Sequence, residues 1–236
     1  MQLINLRNEL PPLEQNTDYV DRKQTAVWLS SIVVFMLSCL PVSAEEILID
    51  EYKDGLSQKW EEKSFRGRTK YEVTREDNVL CVKATSSASA SALYYKIEYD
   101  AKNYPILKWR WKVDGVLSKG NALYKNGDDY AARVYVVFPS LAFWRTKALN
   151  YIWANRLPQG DAVPNPFASN AVMIAVESGP ERTGQWVEER RNILLDYRKF
   201  FGTDSPQVGA IAIMTDTDNT GEDAVAWYGP IRILSD

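Results

Sequence analysis

Residues 106–114 read ILKWRWKVD, and their alternation constrains the fold more than any other segment does. Leu107, Trp109, Trp111 and Val113 share one face of an extended strand. Lys108, Arg110 and Lys112 share the other. A helix would spread these side chains around its axis, so a half-buried strand is the arrangement that keeps both indoles on one side. Shorter β-rich runs recur at 46–50, 59–65, 70–75, 79–85, 91–99, 131–138, 148–154, 171–177, 209–214 and 224–234, with Gly, Asn, Asp and Pro between them. No alternation of strand and helix suggests a parallel sheet. The expectation is an all-β chain, an antiparallel β-sandwich of jelly-roll type with one short helix.

Three segments have less simple readings. Residues 186–192 (WVEERRN) fit a strand paired back onto 171–177 across Gly179-Pro180. A short helix at 194–201 then stops at Gly202, and one helix across 187–201 is the alternative. The proline-rich stretch 139–170 is long enough to be functional or to pack as a flap. Residues 84–92 (ATSSASASA) read as the end of one strand and a connection without chemistry.

Composition narrows the function. The chain has no histidine, which removes Ser-His-Asp triads, Cys-His dyads and His-ligated metal sites. Its 28 Lys+Arg against 31 Asp+Glu give no basic excess, so nucleic acid is not an expected partner. Two cysteines cannot make a disulfide scaffold. Arg22 and Lys23 precede a charge-free run that closes on Val42-Ser43-Ala44. That pattern reads as a secretory signal peptide, 20–44, cleaved after Ala44, with an uncleaved membrane anchor as the alternative. Residues 1–19 are polar and read as a mis-assigned start or an extension. Residues 45–236 are then a single exported domain, periplasmic or secreted, that meets a membrane only during export. Cys39 leaves with the leader, and Cys81 in VLCVKA reads as a core residue.

Each candidate for chemistry has a plainer structural alternative. The run from Asp216 to Asp223 starts like the D-x-D-x-x-G part of a calcium loop, although Trp227 stands where an EF-hand has its bidentate glutamate. It reads either as a structural Ca²⁺ site using Asp216, Asp218 and Glu222, or as an acidic solvated turn. Trp109 and Trp111 read as a sugar-stacking platform or as core. Asp128, Asp129 and Arg133 stand at the start of an apolar strand. With Glu177 they could hydrogen-bond hydroxyl groups on a concave sheet, or form a buried ion pair. Glu177, Glu188, Glu189 and Asp196 could supply the carboxylate pair of a glycosidase.

The segments GDDYAARVYVVF (127–138), ALNYIWA (148–154), ERRNILLDYRKFFG (189–202) and AIAIMTDTDNTGEDAVAWYGPI (210–231) resemble a bacterial exported family known as domain of unknown function 3047. The resemblance covers about 47–234. The closing pattern, an apolar strand, an acidic loop and a strand ending in Tyr-Gly-x-Ile, is similar to carbohydrate-binding modules of the galactose-binding type. That likeness implies a galactose-binding-like jelly roll. The resulting expectation is an exported binding protein for a glycan or other polyhydroxylated molecule. The alternatives are a glycan-cleaving hydrolase and a structural protein-interaction module of the cell envelope.

Overall fold

Every expected strand appears, but several partners differ from those expected. The computed structural model describes residues 45–202 and 206–235, apart from the Phe143 side chain. The expected leader, 20–44, and the extension, 1–19, lie outside the described residues. Within them the strands are β1 (Glu46–Leu48), β2 (Trp60–Arg66), β3 (Lys70–Glu76), β4 (Val79–Ser87), β5 (Ala90–Asp100), β6 (Ile106–Val113) and β7 (Tyr130–Phe138). There follow β8 (Lys147–Ala154), β9 (Ala162–Pro164), β10 (Ala171–Ser178), β11 (Val187–Asn192), helix α1 (Ile193–Phe201), β12 (Gln207–Asp216), β13 (Asp223–Tyr228) and β14 (Arg232–Leu234).

They form two seven-stranded sheets. The first runs β1-β14-β6-β13-β4-β3, with β11 also paired to β6. The second runs β2-β5-β12-β7-β8-β10-β9. The alternation of β6 decides how they meet. Trp109 stacks 5.3 Å from Tyr151 of β8, and Trp111 lies 6.0 Å from Trp153, ring centre to ring centre. The two indoles meet edge to face at 5.5 Å. Trp109 is 1% exposed and Trp111 fully buried, so the stacking-platform expectation is corrected. These rings join the sheets, and removing one would cost about 3–5 kcal/mol of stability. The fold is a largely antiparallel β-sandwich of jelly-roll type, with one short α-helix among the described residues.

Four local expectations change. β11 pairs with β6, Glu189 opposite Trp109, and not with 171–177. β10 instead lies parallel to β8, Ala171 opposite Ala148, through a crossover that carries β9. The 224–234 run breaks at Gly229-Pro230 into β13 and β14. Pro230 has no N–H for the ladder, and a Cβ on Gly229 would lie 2.7 Å from Arg110 Cγ. Residues 84–92 continue both strands of a hairpin, turning at Ala88 with φ 44°. Helix α1 starts where expected: Asn192 Oδ1 accepts the Leu195 N–H at 2.9 Å.

Candidate functional site

Strand β7 has one apolar and one mixed face. Val134, Val136 and Phe138 enter the core between the sheets. Arg133, Tyr135 and Val137 therefore point to the outer face of the second sheet. Arg133 is nevertheless 3% exposed, because a shell of oxygens closes around it. Its Nε donates to Asp216 Oδ1 at 2.8 Å, and its Nη2 donates to Asp216 Oδ2 and to the Asp128 carbonyl. Nη1 donates to Tyr135 Oη at 3.2 Å. Its guanidinium also lies 4.4 Å from the Tyr130 ring centre. Asp216 is 2% exposed. Burial pushes its carboxyl up to about 8, with Arg133 opposing and Asp129 and Asp128 adding to the rise. Burial and Asp129 raise the Asp218 carboxyl as well.

The expected calcium set does not assemble. Glu222 turns away and accepts from Ser118 N–H at 3.1 Å, Ser118 Oγ at 2.6 Å and Lys119 N–H at 3.1 Å. Asp129 takes its place: oxygens of Asp129, Asp216 and Asp218 lie within 4.8 Å of one another. These oxygens are already engaged. Asp129 accepts Asn219 N–H and Nδ2 at 3.0 Å each and Thr220 N–H at 2.6 Å, while Asp216 is held by Arg133. A calcium ion takes six to eight oxygen ligands and would have to displace a guanidinium already serving as the cation. The donor set does not fit the ion.

Beside this cluster lies a pocket of about 470 Å³. Its rim has both polar and aromatic groups. Asn165, Asp218 and Asn219 are partly exposed, and Phe65 and Phe167 largely so. A bulge in β2 between Ser64 and Arg66 leaves Phe65 unpaired at its edge. Asn165 Nδ2 donates to Asp128 Oδ2 at 2.8 Å. Two buried acceptors in the pocket wall have no hydrogen-bond partner: Asp128 Oδ1, on a residue 5% exposed, and Asn150 Oδ1, on a residue 1% exposed.

The pocket opens into a trough that shares the walls Phe65, Tyr135 and Met214 with it. One row across the strands reads Tyr94, Ala212, Tyr135, Asn150 and Met173. The two tyrosines thus stand about 10 Å apart, two strand spacings, with an alanine between them. Ala92, Ala210 and Val137 extend the floor. Two adjoining cavities of about 380 and 510 Å³ make up this trough.

The remaining candidates lie elsewhere. Glu177 does not reach the groove; it is buried and paired with Arg182 at 2.5 Å. Glu189 Oε1 is buried without a hydrogen-bond partner, and burial together with nearby Glu177 pushes its carboxyl up to about 7. Glu188 pairs with Lys108 at 2.9 Å, and Asp196 with Arg191 at 2.6 Å. None of these four carboxylates lines the pocket or the trough. The structure therefore joins Asp128, Asp129, Arg133, Asp216 and Asp218, and separates Trp109, Trp111, Glu177 and Glu222 from them. Sequence reading missed Phe65, Tyr94, Tyr135, Asn150, Asn165 and Asn219. Outward-pointing alternation in β5 and β7 was the available signal for the two tyrosines.

Among solved structures, a study of carbohydrate-binding modules of the β-sandwich superfamily provides one similar chain, at 11% identity and TM-score 0.41. The match covers 77% of this chain and 59% of that one, so this chain spans under two thirds of its length. The CBM27-1 module of Caldicellulosiruptor saccharolyticus, in complex with mannohexaose, matches at 10% identity and TM-score 0.43, over 82% of this chain and 99% of that one. The cellulose-induced protein Cip1 matches at 12% identity and TM-score 0.44, over 79% and 96%. No curated protein matches the sequence. Residues 58–232 match the family described as "Protein of unknown function (DUF3047)", and the chain belongs to that family.

Proposed function

We propose that this chain is an exported binding protein that takes a glycan or other polyhydroxylated ligand into the pocket beside Arg133. One observation carries the reading: three partly exposed amide and carboxylate side chains, Asn165, Asp218 and Asn219, surround one cavity with the rings of Phe65 and Phe167. Amides and carboxylates donate to and accept from neighbouring hydroxyls, and an aromatic face accommodates the C–H side of a sugar ring. The buried Arg133–Asp216 pair fixes the wall behind them. Export rests on the leader pattern at 20–44.

Calorimetric titration of the purified protein with a panel of oligosaccharides tests this. One sugar class is expected to bind. Asp218→Ala should weaken it about tenfold, the value of one good hydrogen bond, with little change in Tm. Absence of binding across the panel refutes the reading.

A further inference from the structure

The trough next to the pocket has the wrong chemistry for a water-facing sheet. An antiparallel sheet with one solvated face alternates apolar-in with polar-out. Here, beyond the buried Arg133, the outward positions of three adjacent strands include Ala90, Ala92 and Tyr94 on β5, Met214, Ala212 and Ala210 on β12, and Tyr135 and Val137 on β7. From Met214 to Ala210 this apolar floor runs about 14 Å along the strand. Tyr94 and Tyr135 wall it, Lys63 of β2 stands at its rim, and Lys96 and Glu98 lie at its far end. Small residues alone do not make a site. This strip, however, is continuous with a pocket whose wall holds the partnerless Asn150 Oδ1, on the residue paired in register with Tyr135. One groove therefore has a polar end and an apolar length.

We propose that the ligand is an amphiphile. Its polyhydroxylated headgroup occupies the pocket and its aliphatic chain lies in the trough over Ala212, between Tyr94 and Tyr135. This rests on the glycan reading of the pocket and adds a ligand class to it. A chain laid along it has the alanine methyls below and the two tyrosines at its sides. Each methylene laid there leaves water, and its transfer tightens binding about fourfold.

The test titrates the protein with methyl, hexyl, octyl and decyl glycosides of glucose, galactose and mannose below their micelle concentrations. Octyl tetraethylene glycol ether serves as a chain without a sugar. For the recognised sugar, Kd should fall by up to about fourfold per added methylene until the trough is full. Ala212→Trp fills the trough, and Val137→Asp puts a charge in it without bulk. Both should abolish the gain with chain length and leave the methyl glycoside Kd unchanged. If a methyl glycoside binds and longer chains bind no tighter, the amphiphile proposal is wrong and the glycan reading stands. If the glycol ether binds as tightly as the octyl glycosides, the headgroup is not recognised and the proposal falls. If no glycoside of any length binds, the glycan reading fails and takes the proposal with it.

Discussion

Arg133→Met isolates the counter-charge at the heart of the site. The substitution keeps most of the aliphatic bulk and removes a buried guanidinium that donates to both Asp216 oxygens, the Asp128 carbonyl and Tyr135 Oη. Asp216 is left almost wholly buried with Asp128 and Asp129 beside it and no cation. Removing one partner of a buried pair costs about 3–5 kcal/mol. For a domain of this size that is a fall in Tm of about 6–20 °C. The pH dependence has a defined sign. Burial raises the Asp216 carboxyl in the folded protein, and the Arg133 guanidinium opposes that rise. Without Arg133 nothing opposes the rise, so the variant loses stability relative to the parent as pH rises and Asp216 ionises. Replacing both partners, Arg133→Met with Asp216→Leu, should recover most of the loss. Urea unfolding of all three proteins at pH 6, 8 and 9 measures it. A loss below about 1 kcal/mol in the single variant, or a double variant no more stable than the single, would show that the guanidinium is not the compensating charge.

Two further outcomes follow from buried groups outside the groove. Burial and Glu177 hold the Glu189 proton to about pH 7, whereas the unfolded chain releases it near 4.3. Stability from this group is full below 4.3 and lost as pH rises through 7. Glu189→Gln should match the parent at pH 4 and exceed it at pH 8 in thermal melts, with Glu177, Arg182 and Arg191 unchanged beside it, and an equal offset at both pH values would contradict this. Cys81 is fully buried and its thiol is pushed up to about 11, so a thiol reagent should label it only as fast as the protein unfolds, and rapid labelling of native protein would disprove that.

Local alternation made the strands legible, but it does not encode which strands pair. β6 was readable because Leu107, Trp109, Trp111 and Val113 alternate with basic residues. The partner of β11 was not. Nothing in WVEERRN distinguishes pairing with the preceding strand from pairing with β6, and β10 satisfies its edges with β8 and β9. The parallel β8–β10 pair was hidden because its crossover contains a short strand and no helix. In the site, Asp216 and Asp218 stood out as neighbours in an acidic run. Glu222 looked like their third ligand for the same reason, yet the turn at Gly221, φ 68°, sends it to residues 118–119. Asp129, which does join them, comes from the start of a neighbouring strand 87 residues earlier than Asp216 in the chain, a separation no local pattern encodes. In ATSSASASA the alternating residues are all small, so the pattern has little apolar contrast, though Ala90 and Ala92 line the groove.

The ends of the domain bear on how it can be handled. Glu45 N–H donates to Ser235 Oγ at 2.9 Å, and Ser235 N–H donates to the Glu45 carbonyl at 3.0 Å. First and last strands are thus zipped together at the edge of the first sheet, whereas the groove opens on the outer face of the second. A short glycine-serine bridge can therefore weld 235 to 45, and fresh termini can be cut elsewhere, for instance at the exposed 140–146 segment. For the same reason the whole unit can be spliced as a cassette into a loop of a host protein, because it leaves the host backbone about where it departed from it. A surface tether attached at either end would hold the molecule by the same edge of the first sheet, leaving the groove on the second sheet.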